Sequence, residues 1–292
     1  MASAQLRDTR RRIDSVEATK KITRAMELIA ASRIPKAQAR VQGSKPYTAK
    51  LIEVIENVGA AGTSDHSLLE RREPQTVGLL IVSSDRGLAG AYASNIIRMA
   101  ESRIRELEET ETDVLVYAVG KKAQSYFRYR GYQIEQAYLG VTDTPGYGDA
   151  RAVANLVMEH YAVGRIDALE AFYTKFVGAM TQTPTPLELL PITPPELEED
   201  EETNSVSYGF EPDPDEILNR LLPRYVEAII FNMLLEASAS EHSARRRAMK
   251  AATDNAEELI KNLTVQANRA RQAEITTAIT EIVGGAEALA DR

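Results

Sequence analysis

RYVEAIIFNMLLEASASEHSARRRAMKAATDNAEELIKNLTVQANRARQAEITTAITEIV, residues Arg224 to Val283, contains neither glycine nor proline. Its Ala, Glu, Lys and Arg residues are strong helix formers and its Leu, Ile and Met residues are spaced along the stretch, so it reads as one unbroken α-helix. At 1.5 Å per residue these 60 residues would extend about 90 Å, several times the length of an ordinary globular helix. A helix that long needs something to lean on. The other end of the chain offers it: residues 2–42 lack glycine and set Leu6, Ile13, Val16, Ile22, Met26 and Ile29 close to one helical face. Two terminal helices leaving one central domain pack most compactly as an antiparallel coiled-coil pair. Leucine does not recur at every heptad d position, and small residues such as Ala237, Ala239, Ala251 and Ala252 are common, which favours a close, irregular pair over a leucine zipper. Pro35 and Pro46 each remove a backbone bond from the first helix, so distortion is expected at one of them.

Between the helices the pattern changes. Val77–Val82 is a short apolar run of the kind that forms a buried strand, followed by a glycine-containing turn and a helix over Tyr92–Glu109. Val114–Val119 repeats the strand signal; a helix near Lys121–Tyr129, a weak strand at Gln133–Tyr138, a helix from about Asp149 to Tyr161 and a strand at Ala168–Phe176 follow. This alternation predicts an α/β domain with a Rossmann-like, doubly wound and largely parallel sheet over residues 75–195. The shaft then comprises residues 1–60 and 212–292. The proline-rich Thr183–Pro195 and the acidic residues 196–211 read as the exit linker, with Asp215 as N-cap of the last helix.

Charge is distributed unevenly. The net charge of the 292 residues is −8, yet residues 1–50 hold twelve Lys or Arg against four acids, while Glu196–Glu216 holds ten acids and no base. Opposed surfaces of this kind suit an assembly component. There is no cysteine, and the three histidines His66, His160 and His242 are scattered, which argues against disulfides, thiolate catalysis and a His/Cys zinc cluster. No run of about 18 apolar residues exists and the N-terminus lacks an apolar secretory core, so attachment to a membrane is expected only through partners.

Ser83-Ser84-Asp85-Arg86-Gly87-Leu88-Ala89-Gly90 follows a strand and precedes a helix, where a phosphate loop would sit, but it has neither the Gly-Lys-Ser/Thr of a P-loop nor the G-x-G-x-x-G of a dinucleotide fingerprint. Asp85, Arg86, Gly87 and Gly90 are therefore read as a structural turn; Gly120-Lys121-Lys122 is a still weaker phosphate signal. No frame such as G-x-S-x-G unites Ser, His and Asp for hydrolysis. The basic first helix could meet phosphates, but residues 1–46 contain no aromatic for base stacking, and nucleic acid is not expected as a partner.

Three segments resemble the gamma subunits of F-type ATP synthases: Lys21–Ser32 (KITRAMELIAAS), Ser84–Tyr92 (SDRGLAGAY), and the stretch from Ala248–Ala256 (AMKAATDNA) through Asn268–Thr276 (NRARQAEIT) to Glu281–Ala286 (EIVGGA). The likeness covers essentially the whole chain and includes Glu211-Pro212-Asp213-Pro214 before the last helix. Ala278 stands where that family usually has Glu, and Pro35 interrupts a helix that is ordinarily proline-free there. The absence of a cysteine-bearing insertion argues against the light-regulated chloroplast form, and the lack of a transit peptide favours a bacterial protein.

The resemblance implies a noncatalytic rotor without cofactor or metal. Its helix pair would enter a ring of three alpha and three beta subunits, and its α/β domain would sit with epsilon on the ring of c subunits, at the cytoplasmic face of a bacterial plasma membrane. It further implies that Arg271 and Gln272 engage the beta subunit, with Met26 in the facing segment of the first helix. Ile275, Ile279, Ile282 and Val283 would turn in an apolar sleeve, and Tyr208, Phe210 and Glu211 would meet the c ring and epsilon. The rival reading is a stand-alone nucleotide-binding enzyme whose helices form a dimerisation stalk; it would need a ligand near Asp85–Gly90.

Overall fold

A computed structural model describes residues 2–59, 66–193 and 213–290. In chain order the elements are α1 (Ala2–Gly59), β1 (Thr76–Val82), α2 (Tyr92–Glu109), β2 (Asp113–Val119), α3 (Lys121–Tyr129), β3 (Ile134–Tyr138), α4 (Tyr147–Ala162), β4 (Ala168–Phe176), β5 (Gln182–Leu190) and α5 (Pro214–Ala290). The chain divides into two units: residues up to Ala30 with those from Arg246 onward, and residues Ala31–Arg245. Both α1 and α5 contribute to each.

In the first unit the two helices run antiparallel, fixed by a hydroxyl pair between Thr23 and Thr253 (2.8 Å) and an ion pair between Lys20 and Glu257 (3.2 Å). The covered positions of α1 follow Thr9, Ile13, Val16, Lys20, Thr23, Glu27 and Ala30, at alternating steps of four and three, with Leu6 and Met26 partly covered as well. Those of α5 follow the same alternation through Met249, Thr253, Ala256, Ile260, Leu263, Ala267, Ala270 and Glu274, with Ala248 and Ala252 also partly covered beside them. A mean step of 3.5 is the heptad repeat of a coiled coil, so the main seam is more regular than expected; Thr and Ala take seven of its fifteen positions and leucine only Leu263. The expected apolar face is also corrected. Leu6, Ile13, Val16 and Met26 are partly covered, but Ile22 and Ile29 are 61% and 53% exposed. Small residues let the two backbones approach closely, and the bulkier Ile22 and Ile29 stand one position off the seam.

The second unit is built on a sheet of order β3-β2-β1-β4-β5, with β1 to β4 parallel and β5 antiparallel at the edge. Alternation along β1 serves both faces. Val77, Leu79 and Ile81 join α2 and α3 in one core, whereas Leu80 and Val82 join α4, the end of α1 (Leu51, Ile55, Val58) and the first turns of α5 (Leu218, Leu222, Val226) in the other. Gly78 lies where a Cβ would come to 3.0 Å from the Cδ1 atoms of both Ile166 and Leu169, so a side chain there would force those neighbours to shift.

Strand β5 occupies most of the proline-rich part of the expected linker, Thr183–Pro195. Its Pro184 and Pro186 pair with Thr174 and Phe172 from the edge of the sheet, the position where a missing N–H is tolerated. Helix α5 starts at Pro214 rather than after Asp215, which lies within the first turn; proline is well suited to an opening helical position because its missing N–H had no intrahelical partner to lose. Helix α1 is continuous through Pro35 and Pro46, both exposed, so the carbonyls they leave unpaired can face water.

Candidate functional site

The turn after β1 spends its polar groups on the protein itself. Asp85 accepts the Lys121 amide through Oδ1 (3.0 Å) and the Thr142 hydroxyl through Oδ2 (3.0 Å). The Ser84 carbonyl accepts the Lys122 amide (2.9 Å), and Ser83 Oγ accepts the Ala123 amide (3.0 Å). The first three amides of α3, the groups that would cradle a phosphate, are thus occupied. Positive φ falls on Gly90 (60°) and on Leu88 (62°), not on Gly87, although glycine is the residue that adopts this conformation freely. Arg86 is exposed. At the neighbouring strand end Gly120 has φ of 92°, and a Cβ there would meet the Ser84 carbonyl carbon at 2.9 Å. Such a turn is a knot tying β1, β2 and the β3–α4 loop together, and it removes the footing of the rival nucleotide-binding reading.

Along the helix pair, Arg271 and Gln272 lie between the seam positions Ala270 and Glu274 and point outward. Met26 is half-buried, but it does not face them. The register set by Thr23 with Thr253 puts Met26 near residue 250, so Arg271 and Gln272 lie some twenty residues, about 30 Å, farther along α5. By the same register the start of α1 falls opposite residue 274 or so, and α5 continues alone to Ala290, about 24 Å more. Every residue from Ile275 to Gly284 is exposed, including Ile275 (49%), Ile279 (57%), Ile282 (73%) and Val283 (53%). Tyr208, Phe210 and Glu211 lie outside the described residues.

One cluster escaped the sequence reading. From Ser238 to Ser243 α5 is buried on every side by the second unit, although five of the six residues are Ser, Glu or His. Ser238 Oγ and His242 Nε2 both donate to the Asp143 carbonyl (2.9 and 3.2 Å), and Ser240 Oγ donates to the Thr174 carbonyl (3.1 Å). Arg245 bridges Glu241 (2.6 Å) and the Gly87 carbonyl (3.3 Å). Burial pushes the Glu241 carboxyl above its usual range, opposed by Arg245, and the same burial holds the His242 imidazole below its ordinary value. The visible signal was Ser-Ala-Ser-Glu-His-Ser inside an otherwise apolar helical stretch: residues this small permit packing all around, a pattern distinct from a solvated face.

No helix among the described residues is long and apolar enough to cross a membrane, and no group of acidic or His side chains there could hold a metal. A family model described as ATP synthase matches residues 5–289. The ATP synthase gamma chain of Acidothermus cellulolyticus is 49% identical over 292 residues, covering 98% of this chain and 97% of that one. The chain belongs to the ATP synthase gamma-chain family. Another member, from Mycolicibacterium smegmatis, is 43% identical and is covered over 99% of both chains. Among solved structures, a chain of the Euglena gracilis mitochondrial ATP synthase has a TM-score of 0.68 at 16% identity, covering 98% of this chain and 95% of its own. A chain of the Tetrahymena thermophila mitochondrial ATP synthase central stalk and c ring gives 0.60 at 22%, covering 79% and 99%. At such identities the solved structures speak for the gamma-chain fold, and the sequence relatives carry the family assignment.

Proposed function

We infer that this chain is the rotor in the central stalk of an F-type ATP synthase and breaks no bond itself. The observation that carries this is the heptad seam from Thr9 to Ala30 and from Met249 to Glu274, followed by an α5 tip that is exposed from Ile275 to Gly284. A paired rod resists twist, and a bare apolar tip can turn against an apolar surface without directional bonds that would fix one angle. Rotation then presents different faces of one asymmetric rod to each surrounding subunit, and a face that binds one conformation more tightly shifts that subunit toward it.

The partners that fit are three alpha and three beta subunits around the helices, with epsilon and the c ring at the sheet unit, placing the protein peripherally at the cytoplasmic face of a bacterial plasma membrane. Arg271, Gln272 and Met26 are assigned to beta, at two levels of the rod. Ile275, Ile279, Ile282 and Val283 are assigned to the sleeve, and Tyr208, Phe210 and Glu211 to the c ring and epsilon. The test is reconstitution. The purified chain should show no ATP hydrolysis, and mixing with alpha and beta chains should give a complex whose single-molecule rotation follows a probe attached to this chain. Hydrolysis by the chain alone, or a static probe on an active complex, defeats the reading.

A further inference from the structure

Turning force has to pass between the sheet unit and the helices, and the second unit contains a stretch where directional bonds reach α5 from several sides. Between Glu236 and Arg245 the helix is bonded from opposite sides. At 100° per residue, Glu236, which accepts the Phe176 amide, and Ser240 lie within about 40° of each other and face β4. Ser238, His242 and Arg245 lie at roughly 180° to 240° from Glu236 and face the β3–α4 and β1–α2 loops. On a third side the Tyr92 hydroxyl donates to the Ala237 carbonyl (3.1 Å). The turns before this point, around Leu222, Val226 and Ile230, are held mainly by apolar packing, with single side-chain bonds from Tyr147 to Glu227 and from Asn232 to Thr48. Apolar contacts are non-directional and set no preferred angle beyond what shape imposes, whereas hydrogen bonds aimed from opposite sides oppose any roll of the helix about its axis.

The β3–α4 loop does more than the others because it holds both helices. The main-chain carbonyl of Asp143 takes Ser238 and His242 of α5, while its carboxylate takes Arg33 of α1 at 2.5 Å. Two residues on, the Pro145 carbonyl accepts Arg40 of α1. One short loop thus brackets the two helices at the same level, and it is itself anchored to the β1 turn through Thr142 and Asp85.

We propose that the Asp143–Pro145 bracket, together with the Ser238–Arg245 stretch of α5, is the joint through which torque crosses between the sheet unit and the helix pair. Asp143, Ser238, Ser240 and His242 are positioning residues for energy coupling and are needed only when the rotor works against a load. This rests on the rotor reading, so the unsubstituted complex serves as the control. If it does not rotate, the rotor reading has failed; if it rotates and the variants match it, the joint has failed.

The test uses the chain assembled with its alpha, beta, epsilon and c-ring partners in vesicles. Two variants are compared with the unsubstituted complex: Ser238→Ala combined with Ser240→Ala, and Asp143→Ala. The serine pair loses only two hydroxyls and gains helix propensity, so it decides the matter if Asp143→Ala fails to assemble. Unloaded ATP hydrolysis, measured with the proton gradient collapsed, should stay close to that of the control. Protons pumped per ATP against an imposed gradient should fall by roughly threefold, within the range that residues lying between two coupled sites produce. Equal losses with and without load would mean that these residues serve folding or assembly alone, and unchanged pumping would mean that torque crosses elsewhere; either result overturns the proposal.

Discussion

Helix α5 is one continuous element that lives in two environments. Before Arg246 it is enclosed by the sheet unit: Leu222, Val226, Ile230 and Ser240 are fully buried, and its polar contacts reach strand β4, the start of α2 and the β1–α2 and β3–α4 loops. Beyond Arg246 one side of the helix is covered, narrowing past Thr253 to every third or fourth residue, and beyond Glu274 none is covered through Gly284. The same backbone geometry thus supports a fixed root and a free surface. Enclosure gives rigidity where force enters. A narrow seam leaves most of the circumference for other proteins, which is what a part that turns among partners requires.

The contrast can be broken by substitution, most severely at the root. Arg245→Ala leaves Glu241 charged, buried and unpaired; both side chains are at most 10% exposed, and loss of one partner of such a pair costs about 3–5 kcal/mol. Denaturant unfolding of the full chain should show that loss in the transition assigned to residues 31–245. Next comes Leu222→Ala, at a fully buried position, where removal of the side chain should cost about 2–5 kcal/mol. Its counterpart Leu259→Ala, 46% exposed on the same helix, should change stability by no more than about 0.5 kcal/mol. Equal costs at the two leucines would mean that the two stretches do not differ as described.

How much of this was legible depends on how each residue declares itself. The strands β1, β2 and β4 are apolar runs with turn signals on both sides, and nothing else competes for such a pattern. Strand β5 was hidden because Pro184 and Pro186 speak against a ladder and only the free edge of a sheet excuses them. The pairing of the ends was legible from length and from the absence of breakers. The face was not, because Ile22, Leu28 and Ile29 carry the apolar signal outward while Thr23 and Glu27 are covered. Apolar side chains that a single chain leaves exposed mislead any reading that assumes the chain buries its own. At the root the misdirection is reversed: Ser238, Ser240, Glu241 and His242 look solvated in sequence, and their partners (the Asp143 and Thr174 carbonyls and Arg245) come together only in the fold.

A milder test of the root uses pH. His242 has its Nε2 hydrogen on the Asp143 carbonyl, with Arg33 and Arg245 nearby, and burial holds its pKa below the ordinary 6.5. The unfolded chain therefore takes up the proton first. Stability from this group is complete above about pH 6.5 and is lost as the pH falls through the depressed folded value. Glu236 and Glu241, raised by burial above the usual 4.5, act oppositely: their contribution is present at lower pH and is lost as the pH rises through their folded values. The diagnostic quantity is consequently a difference. His242→Gln keeps a donor for the Asp143 carbonyl and cannot take a proton, so its unfolding midpoint should decline less than that of the unsubstituted chain between pH 7 and pH 5. Parallel declines would remove His242 from the account.

The smallest effect on the chain itself is expected at the far end of α5, and its smallness is the point. Ile279→Ser and Ile282→Ser change side chains that are 57% and 73% exposed beyond the end of the seam, so the stability of the isolated chain should move by no more than about 0.5 kcal/mol. In the assembled complex the same two substitutions place hydroxyls where an apolar sleeve is assigned, and rotation should slow or the complex should release the chain more readily. A substantial loss of stability in the isolated chain would instead show that the tip already packs against something there, such as a second copy. The free-surface half of the comparison would then fall, while the enclosed root would stand on its own measurements.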